Sequence, residues 1–198
     1  MRTTLRTAGV AVRAMLVFTA VLGVGYMLLI TAIGQVALPF QANGSLVRSA
    51  DGTVTGSQLI GQSFQDADGQ ALPQYFQSRP SAAGSGDGYD GTASGGSNLG
   101  PENPDLIASI EERQAAARTL DGPGAVPADA VTASGSGLDP DISVANAERQ
   151  VARVAQARGI PVADVQKLVD AHTLPRDLGY LGDPRVNVFA LNSALDAR

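Results

Sequence analysis

The side chains that usually do chemistry are nearly absent from this 198-residue sequence, which holds one histidine, His172, one lysine, Lys167, and no cysteine. A Ser-His-Asp set would have to run through His172, and no Gly-x-Ser-x-Gly turn occurs to present a serine nucleophile. Without cysteine there are no disulfides, no thiolate catalysis and no thiolate metal site. One histidine leaves only carboxylates as metal ligands, and of the neighbouring pair Asp139 and Asp141 the first is already suited to capping a helix. A nucleotide-hydrolysing phosphate loop needs glycines followed by Lys and Ser/Thr, whereas Lys167 falls inside a predicted helix. Ser94-Gly95-Gly96-Ser97 and Ser134-Gly135-Ser136-Gly137 offer backbone N–H groups but read as turns, because Gly-Ser clusters mostly supply positive φ. The residues present exclude an enzyme working alone and bind no metal.

What must position these residues begins with a charge-free run from Ala14 to Val47. About 20 apolar helical residues cross a bilayer, and residues 14–36 supply them as a single transmembrane helix. A cleaved signal peptide has a shorter apolar core, so the expectation is a retained anchor. Arg2, Arg6 and Arg13 precede this helix and no basic residue follows it until Arg48. By the positive-inside rule residues 1–13 are expected in the cytoplasm and residues 37–198 outside the cell membrane. Of 14 basic residues three precede the anchor, which leaves eleven against 19 acidic ones and a net charge of −8 for the outer part. Such a surface repels nucleic acid and mildly concentrates cations.

The expected fold is α+β: the N-terminal helix followed by a small mixed α/β extracytoplasmic domain. Pro39 marks the exit from the membrane and Asn43-Gly44-Ser45 a turn. Leu46-Val47 and Val54 flank Asp51-Gly52 as a hairpin, with a further short extended piece at Leu59–Phe64 and a strand at Tyr75–Ala82 that ends at proline. Residues 83–100 are rich in Gly, Ser, Asp and Asn and read as a flexible linker. Asn103 caps a helix that starts at Pro104 and ends at Asp121-Gly122; Asp139 with Pro140 caps a second, whose stripe is Val144, Ala147, Val151, Val154 and Arg158. A third helix covers 162–172, Val186 to Leu191 reads as a buried strand, and Asn192 starts a last helical turn.

Several strings, in order, carry a resemblance: Asn43-Gly44-Ser45-Leu46, Gly56-Ser57-Gln58-Leu59-Ile60-Gly61-Gln62-Ser63-Phe64, Tyr75-Phe76-Gln77-Ser78-Arg79-Pro80-Ser81-Ala82, Ser94 through Pro104, Pro127 through Ser143, Asn146-Ala147, Gln150-Val151-Ala152-Arg153-Val154-Ala155 and Arg185-Val186-Asn187-Val188. Together they resemble the C subunit of the Kdp-type potassium-transporting ATPase over nearly the whole chain. One departure is the stretch Asp66 to Gln74, longer than the family pattern suggests.

The resemblance implies an accessory subunit whose partners are a potassium-selective channel-like subunit, an ATP-hydrolysing P-type subunit and a small hydrophobic subunit, all in the lipid bilayer. It also implies a catalytic chaperone that raises the ATP affinity of the P-type subunit, with Gln150 in contact with nucleotide, so that ATP is a ligand by family alone. Residues in the matched strings marked for partner contact are Asn43, Ser45, Arg79, Ser94, Asn98, Asn103, Ser134, Ser136 and Asp139. Composition alone leaves a second reading, a membrane-anchored extracytoplasmic binding module without a transport role.

Overall fold

The computed structural model describes residues 2–49, 51–86 and 88–198. Helix α1 (Arg2–Phe18) passes through a π-helical segment, Thr19–Gly25, into α2 (Tyr26–Ala37) without a break in the rod. Thr3–Ala37 is the one stretch among the described residues long and apolar enough to cross a membrane, its most apolar 18 residues having mean hydropathy 2.3 and none of them buried. Its 35 residues extend about 50 Å, well past a hydrocarbon core of about 30 Å. The rod stops at Leu38, and Pro39 opens the single turn α3 (Pro39–Ala42). Asn43 then donates its Nδ2 hydrogens to Gln35 Oε1 at 3.1 Å and Pro39 O at 2.6 Å, tying the exit turn to the helix.

Strands β1 (Leu46–Arg48) and β2 (Val54–Ser57) form the expected antiparallel hairpin. The core lies further on, where β3 (Asp141–Ser143), β4 (Thr173–Leu174) and β5 (Arg185–Asn187) make an antiparallel sheet in the order β3-β5-β4. Helices α5 (Val144–Arg158), α6 (Val162–His172) and α7 (Val188–Asp196) bury their apolar stripes with it. Ala147, Val151 and Val154 of α5, Val165 and Val169 of α6 and Leu191 of α7 share one cluster with Ile142, Val186 and Phe76. Each fully buried aliphatic side chain there contributes about 1.5–3 kcal/mol.

Two of the strand-to-helix joints differ from expectation. Asp139 Oδ1 does accept a backbone N–H, from Asp141 at 3.0 Å, but the element it opens is the strand β3 rather than a helix. The cap of α5 is Ser143, whose Oγ accepts from Asn146 N–H. The apolar run from Val186 is strand for only two residues, because Asn187 Oδ1 accepts from Ala190 N–H at 2.9 Å and starts α7 there. Asn192, expected to begin a turn, is 2% exposed within that helix. A side chain that satisfies a free helical N–H outweighs the weak strand preference of the two β-branched residues Val186 and Val188.

Helix α4 (Pro104–Asp121) follows the sequence closely, with Asn103 Oδ1 accepting from Asp105 N–H at 2.8 Å, yet it buries no residue. Residues 83–100 are a loop but not a free linker. Ala83 is fully buried, Gly95 N–H donates to Ser136 O at 2.8 Å, and Gly137 lies so close to Ala83 that a Cβ there would collide with it. Leu59–Phe64 forms no strand; it is a turn followed by irregular backbone. The long stretch after Asp66 closes into a tight turn, because Asp66 Oδ1 accepts from Asp68 N–H and Gln70 N–H.

Candidate functional site

Residues 75–82, expected as a strand, form none: Tyr75 lies in a bend and residues 76–82 are irregular backbone with no neighbouring strand. Their backbone groups are satisfied instead by side chains of two helices. Phe76 N–H donates to Asn192 Oδ1 and Asn192 Nδ2 donates to Phe76 O, both at 2.9 Å. Gln77 N–H donates to Gln150 Oε1 at 2.7 Å while Gln150 Nε2 donates to Gln77 O at 3.2 Å. A carboxamide presents one donor and one acceptor side by side, as a peptide unit does, and therefore substitutes for a missing strand.

Guanidinium groups take the carbonyls just before. Arg153 donates to Pro73 O at 2.7 Å and Tyr75 O at 2.8 Å, and Arg158 to Gln74 O at 2.7 Å. Five consecutive carbonyls, from Pro73 to Gln77, are thus each held by a helix side chain. Arg153 also reaches Asp121 at the end of α4 at 2.7 Å, both side chains being 7% exposed, so it joins α4, α5 and residues 73–77. Arg158 stacks 5.0 Å over the Tyr75 ring and pairs with Asp196. Burial, with Asp196 alongside, raises the Tyr75 pKa above its ordinary value.

These bonds decide what Gln150 has to offer. It is 3% exposed. Its Oε1 accepts from Gln77 N–H and Arg153 Nη2, and its Nε2 donates to Gln77 O and Asn146 Oδ1. Two acceptor sites and two donors are the whole capacity of a carboxamide, so nothing is left for a nucleotide in this conformation.

The residues marked for partner contact fall into two groups. Arg79 is brought to Asp139, and Ser94 to Ser134 and Ser136, with Ser94 and Ser136 left exposed. Arg79 Nη1 pairs with Asp139 at 2.8 Å, Ser94 Oγ donates to Ser136 O at 3.0 Å, and Ser134 and Ser136 lie 3.4 Å apart through their hydroxyls. Tyr89 donates to Arg79 O; burial lifts its pKa from 10.0 to about 12. Asp141 is also raised, chiefly by burial and then by Asp139, against the pull of Arg185. Asn43, Ser45, Asn98 and Asn103 lie elsewhere. Ser45 is 2% exposed at the base of the hairpin, Asn103 caps α4, and Asn43 and Asn98 are exposed.

Beside the clamp runs a cleft of about 780 Å³. α4 forms one wall and residues 63–81 the other, with Asn146, Gln150 and Arg153 as floor. No group of three His, Cys, Asp or Glu able to hold a metal occurs among the described residues, and His172 Nδ1 donates to Leu168 O at the end of α6.

A carboxamide clamp and a lone anchor do not name a function, but comparison with known proteins does. The family model described as "KdpC: K+-transporting ATPase, c chain" matches residues 8–197. The chain belongs to the KdpC family. Relatives named potassium-transporting ATPase KdpC subunit include one from Caulobacter vibrioides (strain NA1000 / CB15N), 57% identical over 188 residues, covering 95% of this chain and 91% of the relative. Another from Beijerinckia indica is 52% identical, covering 93% and 90%, and one from Kineococcus radiotolerans is 53% identical, covering 96% and 93%. KdpC is a subunit of the Kdp potassium-transporting ATPase, so the clamp and cleft are parts of a membrane-complex component. Arg153 lies in a matched string, Arg158 in the stripe expected for α5 and Asn192 at an expected turn, but none of these signals pointed to their role in holding residues 73–77.

Proposed function

We propose that residues 37–198 lie outside the cell, over the external mouth of the potassium-selective subunit, where this non-catalytic KdpC-family chain stabilises the assembly and presents carboxylates near ion entry. The observation that carries this reading is the charge asymmetry about the anchor: three arginines before it, none after it until Arg48, and a net −8 on the domain beyond. Arginine is retained on the cytoplasmic side during insertion, and a negative domain favours cation approach. Asn43, Ser94 and Asn98, exposed among the residues of the matched strings, are the first contacts to test.

The family's catalytic-chaperone role then acts through the assembly rather than through Gln150 touching ATP. Gln150 is saturated within the fold, its two acceptor sites and two donors all engaged by Gln77, Asn146 and Arg153. Removing residues 42–198 while keeping the anchor tests the proposal in the purified complex. Lost assembly, or a raised potassium concentration for half-maximal ATPase stimulation, is expected. An intact complex with unchanged potassium dependence contradicts it. A lone binding module outside any transporter would fail to co-purify with a many-helix membrane partner.

A further inference from the structure

We infer that the cleft between α4 and residues 63–81 receives an extended, carboxylate-bearing segment of another subunit of the ATPase, with Arg113 as its charge partner. Three guanidinium groups line the cleft, those of Arg79, Arg113 and Arg153, against the carboxylates of Glu112 and Asp121. With Asp139, the partner of Arg79, the charges here balance, in a domain that is strongly negative overall. Arg79 and Arg153 are committed to Asp139 and Asp121. Arg113 forms no ion pair among the described residues; it donates one Nη1 hydrogen to Val131 O at 3.0 Å and keeps the rest of its fork. A partly buried guanidinium without a carboxylate is a recognition element for one, since charge-assisted fork contacts are stronger and more directional than neutral ones.

Size favours a chain segment over a small anion. A volume of about 780 Å³ lies within the range of ligand clefts. The helical wall runs from Glu112 to Asp121, about 14 Å at 1.5 Å per residue, the length of about four extended residues. Gln65 and Gln70 bring carboxamides to the opposite wall, and Ala116, Ala117 and Leu120 keep the helical side low and apolar. That wall can adjust, because α4 has no buried residue to lock it. The inference rests on the chain's being a subunit, and not on which side of the membrane the domain occupies.

The substitution R113K keeps the charge and places an amine in the cleft of a chain whose other lysine is Lys167. The complete complex carrying R113K is treated with a zero-length carbodiimide that joins amines to carboxylates in contact, and the linked peptides are sequenced. A link from position 113 to an Asp or Glu of another subunit is expected. The 3.2 Å pair Lys167–Asp164 reports that the reagent has worked. A control link without any link at position 113, or links from it only to Glu112 or Asp121, overturns the inference. Coupling of the position-113 amine to added millimolar citrate, with no partner peptide linked in its absence, assigns the cleft to a small anion and also overturns it. Independently, R113E in the complete complex should lower retention of the chain at limiting concentration by about tenfold, and unchanged retention contradicts the assignment.

Discussion

Helices α4 and α5 start alike and end differently. Each opens on a polar cap, Asn103 or Ser143, and each is followed by a glycine, Gly122 or Gly159. Yet α5 buries six residues and α4 none. Capping residues determine that a helix forms and where it begins; only the spacing of its apolar residues determines what it packs on. Helix α5 is therefore the scaffold that fixes the segment Pro73–Gln77, and α4 is an arm held at its far end by the Asp121–Arg153 pair. The arm leaves a cleft open, which suits a subunit that completes its surface on a partner.

The largest effect should come from cutting the arm loose. D121A leaves Arg153 charged and buried, and should cost about 3 kcal/mol in global stability by chemical denaturation. A loss below about 1 kcal/mol would mean that Arg153 is satisfied by the Pro73 and Tyr75 carbonyls alone. Q150A exposes the contrast from the side of α5: it strands the N–H and C=O of Gln77 and should cost about 2–3 kcal/mol. Because Asn192 holds the adjacent residue, Q150A and N192A should be non-additive, with a coupling of about 0.5 kcal/mol or more.

N103A should reduce stability by about 1 kcal/mol at most, and as faster amide exchange confined to α4 rather than as a shift of the whole transition. Equal slowing or speeding of exchange in α5 would erase the distinction between the two helices. The smallest effect concerns Tyr89. Its folded pKa of about 12 lies above the unfolded value of 10.0, so the stability its neutral phenol contributes is complete below pH 10.0 and is lost as pH rises through about 12. Y89F should remove that part of the alkaline slope, measured as the difference between the two chains across this window.

How far the sequence disclosed this fold follows the same division. The membrane helix, α4, α6 and the β1–β2 hairpin each announce themselves by local means: length of apolar run, Asn103-Pro104, a 3–4 spacing, Asp51-Gly52. The segment at Tyr75 reads as a strand but forms none, and two of the family strings, Tyr75–Ala82 and Gln150–Ala155, are the two that meet in the clamp. That they meet was not legible, because a carboxamide replacing a strand is a contact over 73 residues of chain with no periodic trace. The same long reach explains residues 83–100, whose Gly-Ser composition signals flexibility while Ser136 and Gly137, distant in sequence, order them. At Asn187 two local signals compete, β-branched residues against a cap, and the cap prevails.

The central claim is that the acidic domain lies outside the cell, and Ser97 is the position from which to test it. Ser134 lies in a matched string but is 6% exposed, whereas Ser97 is exposed, and the chain has no cysteine of its own. With S97C in the assembled complex, intact cells are treated with a membrane-impermeant maleimide before and after lysis. Labelling of this chain before lysis is the expected result. Labelling only after lysis would place the domain in the cytoplasm, beside ATP, and contradict the account.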